Sequence, residues 1–293
     1  MTCENARKMK ADLRTFLSDK LPHYKLLLVH KSYDIVGDIA IIRIPESLQE
    51  HAKIIADAVM ALHKNVKAVW QQASPVSGEH RLRELKWVRG RRKATTIHKE
   101  HGCVFKVDLR KCYFSPRLSY ERLRLAKLVE PNEVVVNMFA GVGCFSIVMA
   151  KHSKAKRIYS IDINPMAVEC MQENIRLNRV DVQVFPVLGD SEKVGEKKLQ
   201  RVADRVLMPL PEKAYEYLNS ALATLKPNGG FIHYYDFEHA RKGENPVDKV
   251  KEKVLQKLNG LRVPCRIDFG RIIRATGPNW YQVVLDITIE KQI

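Results

Sequence analysis

Two glycines separated by one residue, Gly141 and Gly143 in "NMFAGVGCFS", follow the apolar run "EVVV" and precede an apolar helical pattern. Glycine takes positive φ and lets a ligand approach the backbone, while a helix N-terminus offers free N–H groups. Nineteen residues beyond Gly143 stands Asp162, ending the run "RIYSIDI", and Asp190 ends the next run in "VLGDSE". At such strand ends an aspartate accepts hydrogen bonds from ribose hydroxyls, the role expected of Asp162, and Asp190 is placed to meet an adenine edge. The dinucleotide spacing G-x-G-x-x-G fails at its third position, Ser146, which argues against a nicotinamide cofactor.

These residues need a scaffold, and from residue 130 onward the pattern supplies one. "EVVVNMF", "RIYSIDI", "VQVFPVLGD", "ADRVLMPLP" and "GFIHYYDF" read as strands. Between them "GCFSIVMAKH", "PMAVECMQENIRLNRV" and "EKAYEYLNSALATLK" read as helices, and "VPCRIDFGRIIRATGPNWYQVVLDITIE" supplies a terminal hairpin. Alternation of this kind implies βαβ units, an α/β fold with a Rossmann-like, doubly wound, mostly parallel sheet. In such a sheet the ligand crevice lies outside the carboxyl ends of the strands. Ahead of it, residues 4–20 read as an amphipathic helix, "YKLLLVHKSYDIVGDIAIIRI" as two strands, "ESLQEHAKIIADAVMALHKN" as a helix and "VKAVWQQ" as a strand. The expected organisation is a small α+β domain over 1–110 and the catalytic domain over 111–293. A strand is expected to end at Pro116, with a helix from Leu118.

The net charge is +17, and residues 81–127 hold 15 Lys and Arg against 4 Asp and Glu. Closely spaced arginines, as in "RLRELKWVRGRRK", favour contact with the phosphates of a nucleic acid. No stretch reaches the ~18–20 apolar residues of a membrane span, and the N-terminus lacks a secretory apolar core, so a cytoplasmic protein is expected. The six cysteines are scattered without metal-ligand spacing, and no metal is expected.

Five stretches in order, "KSYDIVGDIAII", "SPRLSYERLR", "NMFAGVGCFSI", "DRVLMPLPEKAYEYL" and "GGFIHYYDF", resemble the tRNA guanine-37 N1-methyltransferase and wybutosine-synthesis transferase family, of archaeal type. The resemblance runs from about residue 10 to the C-terminus. It implies a class I methyltransferase fold, S-adenosylmethionine as cofactor and the anticodon stem-loop of tRNA as partner, for a chain acting as a monomer. By the same resemblance Glu121 is the general base for the guanine N1 proton, and Arg81, with Arg83 as the alternative, faces O6. Ser115 and Arg122 flank the cofactor, Arg122 reaching its carboxylate; Phe139, Gly141, Gly143, Asp162, Ile163, Asp190 and Ser191 complete that shell. Arg117, Pro209 and Pro211 are expected beside the substrate base. Arg117-Leu118 and Leu210-Pro211 favour methyl transfer over the aminocarboxypropyl branch. Pro209, where the methyltransferases carry Asn, and Asn137, where Asp is usual, depart from the pattern. Carbon-7 methylation of a wyosine precursor, aminocarboxypropyl transfer and silent tRNA binding are the alternatives. His233, Tyr234 and Tyr235 read as core residues, and Trp280 as a loop aromatic.

Overall fold

The structure, a computed structural model, describes residues 12–291 and divides into two compact units. One comprises residues up to His98 with Val107–Arg110; the other comprises Lys99–Lys106 with Lys111 onward. Chain position 110 thus separates the units except for the excursion 99–106, which belongs to the larger one.

In the smaller unit, helices α1 (Leu13–Leu17), α2 (His23–Leu28) and α3 (Ala52–Leu62) accompany strands β1 (Asp34–Val36), β2 (Ile39–Ile42), β3 (Ala68–Gln72) and β4 (Leu85–Gly90), which form one sheet in chain order. Gly37, at φ +56, makes the β1–β2 turn; a Cβ there would lie 2.3 Å from the Ile97 carbonyl oxygen. Ile39–Ile42 are all buried, and Ile55, Ala56 and Val59 of α3 pack into the same core. "YKLLLV" is a helix rather than the expected strand. Pro22 takes its N-cap, none of His23–Leu28 is buried while the C-cap Val29 is, and no sheet partner stands beside it. Of the helix expected over 4–20, Leu13–Leu17 is helical and residues 1–11 lie outside the described residues.

The paired strands β5 (Thr95–Glu100) and β6 (Cys103–Asp108) lead on to α4 (Ser119–Leu128), preceded by a single 3-10 turn at Pro116–Leu118. The strand expected to reach Pro116 therefore ends at Asp108. The larger unit then alternates β7 (Val134–Asn137), α5 (Cys144–His152), β8 (Arg157–Asp162), α6 (Pro165–Asn178), β9 (Val184–Leu188), α7 (Ser191–Lys198), β10 (Arg205–Met208), α8 (Leu218–Thr224), β11 (Gly230–His239) and α9 (Pro246–Gly260). The hairpin β12 (Cys265–Gly277) and β13 (Trp280–Ile289) ends it. Neither α7 nor α9 was expected: their lysines dilute the apolar period that marks a buried helix face.

Seven strands form one sheet in the order β12-β13-β11-β10-β7-β8-β9, parallel from β9 to β11 and antiparallel at β13 and β12. The chain runs outward from β7 through β8 to β9, then returns to place β10 on the other side of β7. Strand order reverses between β7 and β10, and that reversal opens a crevice at their carboxyl ends. The four residues of β10 are all buried, as a strand covered on both faces requires. Val194, Leu218, Val250 and Val254 of α7, α8 and α9 cover one face; Leu125, Val148, Met149 and Met171 of α4, α5 and α6 are buried as well.

Candidate cofactor cradle and acceptor-base site

The turn after β7 is built by its glycines, and the two do different things. Gly143 sits at φ +89 as the N-cap of α5, where a Cβ would meet Met171 Cγ at 2.9 Å, so its lack of a side chain lets α6 pack. Gly141 sits at φ +57 with nothing nearer than 3.9 Å to its Cβ position, which leaves open space above the backbone. Asp162 ties this turn to the end of β8: Oδ2 accepts from Gly141 N at 2.6 Å and Oδ1 from Asn164 N at 2.9 Å. Ile163 follows it, partly buried.

Asp190 has more partners than its expected adenine role requires. Oδ1 caps α7 through Glu192 N and Lys193 N, and Oδ2 accepts from Tyr217 Oη at 2.6 Å. Burial first, and the Asp190 bond next, push the Tyr217 phenol well above its usual range. Tyr217 packs edge-on to Phe139 at 5.3 Å between centroids, so these two rings and Asp190 form one wall. Ser191 is buried and its hydroxyl donates to the Met138 carbonyl, holding the β7 end against α7. Asn137, in place of the usual Asp, donates to Ser146 Oγ at 3.1 Å, and Ser146 also accepts from Ser160. Ser146, which breaks the dinucleotide spacing, is thus a buried polar link between α5, β7 and β8.

Arg122 has protein partners that the sequence does not announce. It is buried and bonded to Glu100 through Nε at 2.5 Å and Nη2 at 2.9 Å, with Nη2 also on the Ser115 carbonyl at 3.1 Å. A guanidinium matched by a buried carboxylate and bonded to the Ser115 carbonyl holds the turn before α4. Sequence reading missed this because Glu100 lies 22 residues upstream, on β5.

Glu121, one residue earlier on α4, is 1% exposed. Its Oε1 accepts from Arg124 Nη2 at 2.7 Å and Tyr235 Oη at 2.9 Å; its Oε2 accepts from Arg124 Nε at 3.0 Å and Arg271 Nη2 at 2.6 Å. Burial pushes its carboxyl upward, but the Arg124, Arg271 and Tyr235 hydrogen bonds outweigh that and hold it below the usual glutamate range. Arg124 is held in turn by Asp286 at 2.6 and 3.0 Å, and Asp286 Oδ1 lies 2.6 Å from His233 Nδ1. His233 Nε2 receives Arg205 Nη1 at 2.7 Å; arginine cannot accept, so Nδ1 carries the ring proton and donates it to Asp286. Burial, outweighing Asp286, lowers the His233 pKa, in keeping with a neutral ring. Glu133, bidentate on Arg205 at 2.7 and 2.8 Å, completes the chain. Tyr234 and Tyr235 are fully buried, as expected, yet Tyr235 also touches Glu121.

Other expected residues lie around this centre or apart from it. Arg117 is exposed on the turn before α4; Pro209 is partly buried, Pro211 is buried, and the Leu210 carbonyl between them accepts from Lys213 N and Ala214 N to start the next turn. Arg81 and Arg83 belong to the smaller unit. Arg81 takes φ +53 in the turn closed by the Ser77–Leu82 bridge, and Arg83 Nη1 donates to Gln72 at 3.2 Å. Lys86, Trp87, Arg89, Arg91 and Arg92 are exposed on and just after β4. Trp280 is 47% exposed at the start of β13 and packs edge-on to His239. Among the described residues no cluster of His, Cys, Asp and Glu could hold a metal ion.

Residues 96–263 match the family model described as the TRM5/TYW2 methyltransferase domain, and residues 13–93 match the TYW2 N-terminal domain. The tRNA (guanine(37)-N(1))-methyltransferase Trm5b of Pyrococcus abyssi is 43% identical over 258 residues, 88% of this chain and 74% of that protein. The tRNA 4-demethylwyosine(37)-methyltransferase Taw21 of Saccharolobus solfataricus is 38% identical over 261 residues, 88% of this chain and 94% of that protein. Among solved structures, Methanocaldococcus jannaschii Trm5 in complex with adenosine matches with a TM-score of 0.78 at 36% identity, over 94% of this chain and 80% of the other.

Proposed function

Because this chain belongs to the TRM5/TYW2 methyltransferase family, we propose that it is a tRNA (guanine-37 N1)-methyltransferase using S-adenosylmethionine. The observation that carries the reading is Glu121: a buried carboxylate, kept ionised by two guanidiniums, in the same compact unit as a glycine turn open to a ligand. The cradle fits the cofactor. The open face of Gly141 and the free N–H groups at the start of α5 receive its amino-acid end, Asp162 its ribose, and Phe139, Asp190, Ile163 and Ser191 surround its adenine. When bound, S-adenosylmethionine supplies an electrophilic methyl group. Guanine N1 is protonated at neutral pH, so Glu121 accepts that proton and frees the lone pair. Arg122 acts through Ser115, whose carbonyl it fixes. Arg117 and the Pro209–Pro211 turn, stiff because proline fixes φ, receive the flipped base.

The exposed basic strand of the smaller unit binds the anticodon stem-loop, and Arg81 is the residue there expected nearest the base. We propose a monomer working in the cytoplasm; no helix of the described residues is long and apolar enough to cross a membrane, and the five described cysteines are free thiols. Taw21, which is similar over most of its length, supports a second reading: methylation of carbon-7 of 4-demethylwyosine at the same position.

Unmodified and wyosine-precursor tRNA, offered with S-adenosylmethionine labelled in the methyl or in the aminobutyryl chain, separates these activities. Methyl label on N1 of guanosine in unmodified transcript is the expected result. Methyl label on the precursor alone transfers the assignment to the second reading, and chain label overturns both.

A further inference from the structure

Two of the described cysteines touch: Cys112 Sγ donates to Cys170 Sγ at 3.9 Å. Their settings differ. Cys112 is 2% exposed in the segment 111–115 that leads to α4, while Cys170 is partly exposed on α6. Burial pushes the Cys103 and Cys144 thiols up to about 11 and about 12 and moves that of Cys265 upward, which leaves these three almost wholly protonated at neutral pH.

Both members of the touching pair border the cofactor cradle. The Lys111 carbonyl accepts from Asn164 Nδ2 at 2.8 Å, Asn164 N donates to Asp162, and Asp162 accepts from Gly141 N. The residue before Cys112 is thus tied to the glycine turn through three successive hydrogen bonds. The residue after it, Tyr113, has its carbonyl oxygen 3.9 Å from the Cβ position of Gly141. On α6, Met171 follows Cys170 and stands 2.9 Å from the Cβ position of Gly143.

We propose that Cys112 and Cys170 form a dithiol modification site, which a peroxide oxidises to a disulfide that distorts the cradle and weakens cofactor binding reversibly. The peroxide meets the partly exposed Cys170 first. Its sulfur attacks one peroxide oxygen, the O–O bond breaks, and a sulfenic acid and water result. The Cys112 sulfur then attacks the sulfenic sulfur: the S–S bond forms, the S–O bond breaks, and the thiol proton leaves with that oxygen as a second water. Two thiols are oxidised and one peroxide is reduced. Bond formation brings the sulfurs from 3.9 Å to about 2.05 Å, so the segment at Cys112 and α6 must close on each other. That movement reaches Gly141 through Lys111, Asn164 and Asp162 on one branch and through Tyr113 on the other. In a reducing compartment such a link is transient, which suits a sensor. Its effect on cofactor binding rests on the family alone, and its effect on methyl transfer rests on the function proposed above.

The test exposes reduced wild type, Cys112→Ser and Cys170→Ser to a small excess of hydrogen peroxide, then to a dithiol reductant. Linked peptides are mapped by mass spectrometry, S-adenosylmethionine binding is measured by calorimetry, and transfer to tRNA is followed in single turnovers. In wild type a peptide pair joining Cys112 to Cys170 should appear. Cofactor affinity should fall about tenfold, the loss of one hydrogen bond to a charged group, and transfer should slow about 10²-fold. The reductant should reverse all three changes, and both serine variants should keep their affinity in peroxide. Wild type that forms no such link overturns the proposal, as does a link that leaves cofactor affinity unchanged. Serine variants that lose affinity in peroxide as wild type does assign the effect to other side chains and overturn it too. A wild type that binds the cofactor but transfers nothing to any tRNA defeats the earlier reading, while the peptide map and the calorimetry still decide this one.

Discussion

Glu121 and Gly143 are five-carbon and two-carbon residues whose surroundings decide everything they do. Glu121→Gln keeps the shape of the site and removes the proposed base, so transfer should slow about 10²–10⁴-fold at neutral pH. The substrate sheds its own proton at higher pH, so the glutamine variant should recover toward alkali; a variant as fast as wild type at pH 7 would reduce Glu121 to a structural residue. The two glycines give a contrast that the sequence alone does not. Gly143→Ala meets a strained φ and a 2.9 Å contact with Met171, a side chain buried in the core, and should lower unfolding stability by about 1–3 kcal/mol. Gly141→Ala meets only the unfavourable φ, about 1–2 kcal/mol at most, yet its methyl group would enter the open space proposed for the cofactor. Denaturant titration and cofactor calorimetry on both variants should rank them in opposite order.

Strands and helices carry the charged chain that surrounds Glu121: Glu133 before β7, Arg205 on β10, His233 on β11, Asp286 on β13 and Arg124 on α4. Each alone reads as an ordinary surface or core residue. Their pairing depends on sheet order, which β13 achieves by inserting between β11 and β12, and no local pattern announces that. The alternation of β7 to β11, the glycine turn and the strand-end carboxylates were legible because strand periodicity and βα turns are local. Asn174 and Asn178 show a signal that was present and passed over: i, i+4 spacing on α6 puts both amides on one face. There Asn178 holds the backbone of Val104 at 2.8 and 2.6 Å, and Asn174 that of Lys106 at 2.7 and 3.0 Å. Acid should expose the charged chain. Glu121 and Asp286 both have folded-state pKa values below their ordinary ones, so the unfolded chain takes up their protons first as pH falls. Their contribution is complete above the usual carboxylate range and is lost as pH drops through the folded values. His233, also lowered, adds a loss that begins near the ordinary histidine pKa of about 6.5. Urea midpoints should therefore fall from pH 7 to pH 4. Asp286→Ala, which leaves Arg124 to share Glu121 with Arg271 and the buried histidine without its acceptor, should lower stability at pH 7 by about 3–5 kcal/mol. A flat midpoint across that range would show the chain of pairs to be energetically silent.

At the scale of the whole molecule, the excess of positive charge is less free than its composition implies. Of the basic residues between 81 and 127, Arg89 is paired with Asp57, Lys93 with Asp38, Lys106 with Glu173, Arg122 with Glu100 and Arg124 with Glu121 and Asp286. Arg122 and Arg124 are core ion pairs that happen to fall in a basic stretch. Lys86, Arg91 and Arg92 form an exposed basic run around β4, with Trp87 at 38% exposure among them, and Lys99, Arg110, Lys111, Arg117 and Lys127 are exposed as well. Phosphate contacts release counterions, so the logarithm of affinity falls linearly with the logarithm of salt concentration, with a slope close to the number of contacts. Arg91→Ala with Arg92→Ala should weaken tRNA binding and make that slope shallower by about two. Asp162→Ala should leave the slope alone while weakening cofactor binding tenfold or more, because it removes both the proposed ribose acceptor and the brace on Gly141. Filter binding across a salt series, with calorimetry on the same preparations, reads both numbers. An affinity that does not respond to salt, or a double alanine variant with the wild-type slope, would assign the β4 run to a solvated face and move the search for the tRNA contact elsewhere on the chain.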